Sequence, residues 1–167
     1  MFEAINMRKY HISIAVVVIL LDRLTKWLVA QKITLNDSVD VIPGLFRLTH
    51  LENRGAAFSL FAESPSEWRA GILIAFSVLA LAAVSILLWK NGNILNSTAI
   101  ALSLVAGGAV GNLWDRVFSG RVTDFLDFYL GSHHWFPFNV ADSAIVVGGM
   151  LLLSKVIQLR LKERAAS

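Results

Sequence analysis

The chain has 167 residues, 56% of them hydrophobic and only 16% charged. With a mean hydropathy of +0.62 and about a quarter charged residues expected of a soluble domain, this excludes a disordered chain, a basic nucleic-acid-binding domain and most soluble enzymes. It leaves a single-domain integral membrane protein. The formal net charge of +3 reflects few acids, not a dense basic patch. The absence of cysteine rules out a disulfide framework, thiolate catalysis and a Cys-ligated metal.

In chain order, the first apolar stretch is His11 to Leu21, after which Asp22, Arg23 and Lys26 interrupt before Leu28, Val29 and Ala30. Arg8 and Lys9 followed by an apolar run have the form of a signal peptide. The Asp22-Arg23 pair breaks that run, and no small-x-small site follows, so a retained helix over about 10–30 is expected. Residues 36–62 form a loop with partial alternation from Phe46 to Glu52 and a Pro43-Gly44 turn; short antiparallel strands are expected there. Gly55, beside Asn53, marks a further turn. Ser64-Pro65-Ser66-Glu67-Trp68 reads as the entry to a second helix, and the sequence does no more than permit the segment from Glu63 to Trp68 to close over a site.

Ala70 to Trp89 is 20 residues without a charge, and Asn91 to Trp114 is 24. A bilayer core needs roughly 20 apolar residues, so helices over about 68–89 and 94–115 are expected, joined by a turn at Asn91-Gly92-Asn93. The last helix, about 139–160, carries Asp142 near its start and Lys155 near its end. The tail from Lys162 is short and is expected to fray. Gly107 and Gly111, and the Gly148-Gly149 pair, serve close helix packing. Trp68, Trp89, Trp114 and Trp135 suit an aromatic belt. The expected fold is therefore mostly α: a four-transmembrane-helix bundle with a small antiparallel β-sheet in the first outer loop.

Four spans put both termini on one side. Arg8, Lys9, Lys90, Lys155, Arg160, Lys162 and Arg164 lie there in short segments, whereas Lys32, Arg47, Arg54, Arg69, Arg116 and Arg121 spread over two long loops. Short segments weigh more in the positive-inside rule, so both termini are expected in the cytoplasm. Asp22 then lies about 16 Å along the first helix, past the midplane. Asn112, Asp115 and Arg116 end the third helix, and Asn139 and Asp142 begin the fourth. The polar residues of three helices thus gather at the outer end. A local ion pair with Lys26, at i and i+4, is the simpler account of Asp22 alone. Several carboxylates with an arginine and two asparagines read as a site, because ionisable groups within a membrane are costly.

The histidines His11, His50, His133 and His134 form no metal-binding spacing, and Ser154-Lys155 lies at the far end of the chain's spans. Neither a metal nor a cofactor is expected. The cluster offers carboxylates: Asp115, Asp124, Asp127 and Asp142. Two that share a site do not both ionise easily. One can activate water while the other protonates the departing amine. Spacing does not say which two pair. Asp142 is favoured, since Asn139 can cap its helix, and Asp124 with Asp127 fits either a helical turn or a solvated loop face.

Four blocks make the sequence recognisable: Asp22-Arg23-Leu24-Thr25-Lys26; Asn53-Arg54-Gly55-Ala56-Ala57-Phe58-Ser59; Gly107 to Arg116 continuing through Gly120-Arg121-Val122-Thr123-Asp124-Phe125; and Phe138-Asn139-Val140-Ala141-Asp142-Ser143. Together they resemble the lipoprotein signal peptidase (signal peptidase II) family over nearly the whole chain. The resemblance implies a membrane aspartyl endopeptidase with Asp124 and Asp142 as catalytic dyad. It implies that Asn53, Gly55, Asn112, Arg116 and Asn139 position substrate or dyad, and that Asp22 and Lys26 support the site. The implied substrate is a prolipoprotein cut before its diacylglyceryl-modified cysteine, at the outer face of the bacterial cytoplasmic (inner) membrane. Membrane lipids are the other expected partner, nucleic acid is not, and a monomer is expected. The competing reading is a small proton-coupled transporter or channel subunit, in which intramembrane Asp residues relay protons.

Overall fold

A computed structural model describes residues 7–55, 66–91 and 95–166. The Ala56 to Ser59 part of the second block, Glu63 to Pro65 of the expected closing segment, and Gly92-Asn93 of the expected turn lie outside the described residues. The elements are α1 (Arg8–Lys32), β1 (Ser38–Ile42), β2 (Phe46–Asn53), α2 (Ser66–Asn91), α3 (Ser97–Ser119), β3 (Val122–Leu130), β4 (His133–His134) and α4 (Val140–Ala166).

The central helix is α3, which packs against α1, α2 and α4. Apart from Leu102, Asn112 and Asp115, its buried positions are small: Ala99, Ala101, Ser103, Ala106, Gly107, Gly108 and Gly111. Small residues let backbones approach, which is how helices associate where no solvent drives them together. A methyl group on Gly107 would come within 2.8 Å of the Ala15 carbonyl oxygen, and one on Gly148 within 2.6 Å of that of Ala101. Gly149 departs from the sequence expectation: nothing lies within 4 Å of its would-be Cβ, so only its neighbour is a packing glycine.

Among the described residues, three helices are long and apolar enough to cross a membrane: α2 over Gly71–Lys90, α3 over Ser97–Ser119 and α4 over Val140–Ala165. In α1, Asp22, Arg23 and Lys26 interrupt the apolar run. Asp22 and Lys26 are nonetheless buried, at 0% and 3% exposure, while Ile12, Val16, Leu20, Leu24 and Trp27 form an exposed apolar stripe.

The sheet is antiparallel, in the order β1-β2-β3-β4. It extends beyond the first long loop, where the sequence placed it whole: β3 and β4 come from the α3–α4 connection. A two-stranded hairpin is marginal by itself, and β3 supplies the third strand that steadies it. Within the β1–β2 turn the Leu45 N–H donates to the Ile42 carbonyl at 3.0 Å, and Gly44 takes φ +81°. This is the proline-then-glycine turn that the sequence signals. The helix α3 stops at Gly120 in the left-handed conformation, φ +67°, with its N–H donating to the Arg116 carbonyl, so the chain reverses directly into β3. Val29 of α1 and Ile33, just past its end, form a buried cluster with Phe125, against which Leu48, Leu126 and Val140 pack. That cluster docks the sheet on the helical bundle beside the start of α4.

Candidate active site

The first turn of α4 is built by two side chains. Asn139 is fully buried; its Oδ1 accepts from the Asp142 N–H at 2.9 Å, and the Asn139 N–H donates to Asp142 Oδ2 at 3.2 Å. These reciprocal bonds form a capping box, and they hold the Asp142 carboxylate at the helix mouth. A second donor reaches it from α3, where Asn112 Nδ2 donates to Asp142 Oδ1 at 2.7 Å.

Asp124 lies on β3, four residues past the turn that ends α3. Asn139 Nδ2 donates to its Oδ1 at 2.8 Å, and Asn53 Nδ2 on β2 donates to its Oδ2 at 2.9 Å. Asn139 therefore touches both carboxylates. Leu51 is the register partner of Asp124, and Asn53 pairs with Val122, so the sheet itself presents Asn53 to Asp124. Burial pushes the Asp124 carboxyl up to about 6. The Asn53 hydrogen bond opposes that rise and the Asp142 charge adds to it, as desolvation, donors and like charge each should.

A second network lies behind this pair. Lys26 Nζ contacts Asp22 Oδ2 at 2.7 Å, Asp115 Oδ2 at 2.7 Å and Asn112 Oδ1 at 3.1 Å. The ammonium hydrogen-bonds Asp22 and Asn112 and ion-pairs with Asp115. Its bond to Asn112 Oδ1 turns the amide so that Nδ2 faces Asp142. Asp22 Oδ1 accepts the Ala141 N–H at 3.0 Å, so α1 caps the start of α4. Gly111 leaves the room: a Cβ there would sit 2.8 Å from Asp22 Oδ2. Arg23 pairs with Asp115. Arg116 acts electrostatically on Asp142, Asp124 and Asp115, and its buried Nε has no hydrogen-bond partner among the described residues.

The structure thus brings together Asp22, Lys26, Asn53, Asn112, Arg116, Asp124, Asn139 and Asp142. Gly55 joins through its N–H, which donates to Asn53 Oδ1 at 2.8 Å and orients that amide's NH2 group toward Asp124. Asp22 is more than a local ion pair, since it spans three helices. Two readings of Asp124 and Asp127 are corrected. They lie on a strand, not a helical turn, and both are buried, not on a solvated face. Asp127 leaves the site altogether and binds Arg47 and His134. Asp115 belongs to the lysine network. Arg23 went unnoticed as a partner. Its only signal is its place between Asp22 and Lys26, and its partner is 92 positions away.

Comparison with known proteins bears on this geometry. Residues 14–158 match the family described as Signal peptidase (SPase) II. The chain is 46% identical over 155 residues to the lipoprotein signal peptidase of Solibacter usitatus, covering 93% of each. It is 45% identical over 153 residues to that of Geobacter metallireducens, covering 92% of this chain and 93% of the relative. A bacterial membrane enzyme solved by the in meso method at 2.3 Å superposes with a TM-score of 0.80 at 30% identity, over 90% of this chain and 88% of the other.

Proposed function

The chain belongs to the lipoprotein signal peptidase (signal peptidase II) family, and from that premise we propose that it removes signal peptides from bacterial prolipoproteins with Asp124 and Asp142 as its catalytic pair. It is an aspartic-type endopeptidase. The observation that carries the assignment of the pair is Asn139, which holds one carboxylate through its backbone and the other through its side chain.

The chemistry follows from that pairing. One carboxylate is ionised and takes a proton from water, whose oxygen attacks the scissile carbonyl. The other is protonated, hydrogen-bonds the developing oxyanion and gives its proton to the leaving amine. The two exchange one proton, so their apparent pKa values belong to the pair. Arg116, with a buried donor left over, steadies substrate carbonyl groups. Asn53, Gly55, Asn112 and Asn139 position the pair. Asp22 and Lys26 hold α1 and α4 in place around it.

The substrate carries diacylglycerol on the cysteine after the scissile bond, and the lipid rests beside the bundle. All four helices span the cytoplasmic membrane. For α1, the support is an apolar stripe facing out and charges facing in. Both termini lie in the cytoplasm, with the basic residues of the short segments beside them, and the site lies at the outer face. A monomer is the proposed working form, because a single chain supplies a full set of donors to the pair. A transporter reading lacks support: the buried charges collect at one end and line no path across.

The test is cleavage by the purified protein of a diacylglyceryl-modified precursor, beside the same precursor without lipid. The expected product is a signal peptide released only from the lipidated form, leaving the modified cysteine N-terminal. Equal cleavage of both forms removes the lipid from the assignment, and cleavage of neither removes the function.

A further inference from the structure

The end of the β2–β3 ladder carries an ion pair that the proposed chemistry leaves without a part. β2 ends at Asn53 and β3 begins at Val122, and these two are the last partners in register. β2 is held thinly there. The β1 register stops at Thr49. The loop before β1 reaches His50, whose N–H donates to the Asp37 carbonyl and whose carbonyl accepts the Asn36 N–H. Leu51, Glu52 and Asn53 therefore have β3 as their one sheet neighbour among the described residues. Ends of ladders are where strands open most readily. Asn53 nonetheless has to keep Nδ2 at 2.9 Å from Asp124 Oδ2. The Gly55 N–H sets the direction of that amide, but not the distance between the two strands.

Two long side chains span the strands at this point. Arg121 Nη1 meets Glu52 Oε2 at 2.9 Å. Thr123 is the register partner of Glu52, so Arg121, two residues back, is its diagonal neighbour, within reach of long side chains on one face. Asn53 and Asp124 form the opposite diagonal: Val122 is the register partner of Asn53, and Asp124 lies two residues on. Successive residues of a strand point to opposite faces, so the two diagonals cross the same strands on opposite sides. Arg121 also follows directly on Gly120, where α3 ends with φ +67°. The ion pair thus ties β2 to the turn that leads from Asn112, Asp115 and Arg116 into β3. We propose that the Glu52–Arg121 ion pair clamps the open end of the ladder and so keeps Asn53 on Asp124. Both are then positioning residues for the proposed reaction, acting through Asn53 and not on the reacting atoms. The charged groups that act on Asp124 come from the helices: Asp142 on α4, Lys26 on α1 and Arg116 on α3. The pair is partly covered, with side chains 43% exposed at Arg121 and 22% at Glu52, so its hold amounts to about fivefold at most in keeping the strand end closed.

The consequence for cleavage rests on the peptidase reading; the clamp itself does not, and the test reads Asp124 with and without substrate. In the full-length protein in detergent, the infrared carboxyl band that Asp124→Asn removes is followed against pH, beside the pH dependence of kcat/KM for a diacylglyceryl-modified precursor. The variants are Glu52→Gln, Arg121→Gln, the exchanged pair Glu52→Arg with Arg121→Glu, and Glu52→Gln combined with Asn53→Ala. A loosened strand end takes a donor from the ionised Asp124. Each single variant should therefore raise its midpoint from about 6, by less than Asn53→Ala does, and lower kcat/KM by about two- to fivefold. The exchanged pair should bring both back. Glu52→Gln should add nothing once Asn53 is gone. A bare charge effect has other signs, since loss of an anion lowers a neighbouring carboxyl and loss of a cation raises it. Shifts in opposite directions in Glu52→Gln and Arg121→Gln thus overturn the clamp. So does a midpoint that neither variant moves, or a further shift on top of Asn53→Ala. An unmoved midpoint in variants that cleave refutes the clamp and leaves the peptidase standing. Midpoints that rise in both single variants of a protein that cleaves no precursor support the clamp and remove the peptidase.

Discussion

Two sets of carboxylates sit side by side at one end of the bundle, and their partners differ in kind. Asp124 and Asp142 are held by neutral amides: Asn53, Asn112, Asn139 and a backbone N–H. Asp22 and Asp115 are held by cations, Lys26 and Arg23. A cation within contact distance fixes a carboxylate as an anion, and removing either partner leaves a stranded buried charge. An amide donor fixes direction while leaving the proton free to come and go. The difference teaches how one fold keeps some acids as scaffold and others as reagents. Asn112 joins the sets, because it accepts from Lys26 and donates to Asp142.

The comparison breaks most visibly at the amide-held pair. Asp124→Asn and Asp142→Asn each keep the shape of the side chain and remove the exchangeable proton. Each should lower turnover of lipidated precursor by about 10³-fold or more, the scale of general acid–base catalysis, with little change in thermal stability. Turnover retained in either variant takes that residue out of the pair.

The cation-held set should respond in stability first. Lys26→Met strands Asp22, leaves Asp115 with Arg23 alone and should cost about 3–5 kcal/mol, read as a lowered midpoint of thermal unfolding in detergent. A midpoint equal to that of the unmodified protein would mean that the network contributes no scaffold. The steric counterpart is Gly111→Ala, which presses a methyl group on the Asp22 carboxylate. It should cost about 1–3 kcal/mol by the same measurement.

The smallest effect is the one that separates donors from charges. Asn53 donates to the ionised form of Asp124 and so holds its pKa down against burial, which sets it at about 6. Removing that donor favours the protonated form. In Asn53→Ala the inflection of kcat/KM near pH 6 should therefore move to higher pH, with a loss of about tenfold or more from one charge-directed hydrogen bond. An inflection that stays put, or moves down, would show that Asn53 does not act on Asp124.

Much of this was legible in the sequence because the relevant signals are local or repeat along one helix. The apolar lengths gave the helices, and the up-and-down path alone placed Asp22, Asn112 and Asp142 at one end. Asn139 announced itself as a cap by standing three residues before Asp142. What stayed hidden was long-range. Val122 to Leu130 holds two acids and reads as loop until Asp127 meets Arg47 across the sheet, 80 positions away. The choice of Asp124 and Asp142 among four carboxylates depended on family resemblance, since no spacing encodes which acid finds an amide and which a lysine. The orientation of Asn112 is likewise set by Lys26, 86 positions distant.

The most direct test compares two aspartates held by different kinds of partner, the half-buried Asp142 and the buried Asp127. Asp142→Asn and Asp127→Asn are reconstituted in the same vesicles, and single-turnover cleavage of a diacylglyceryl-modified precursor is followed below the unfolding temperature of both. The amide-held Asp142 should be indispensable and its variant silent, while Asp127→Asn, with its arginine and histidine on the far face of the sheet, cleaves at close to the normal rate. Cleavage by Asp142→Asn at the rate of Asp127→Asn would contradict the account.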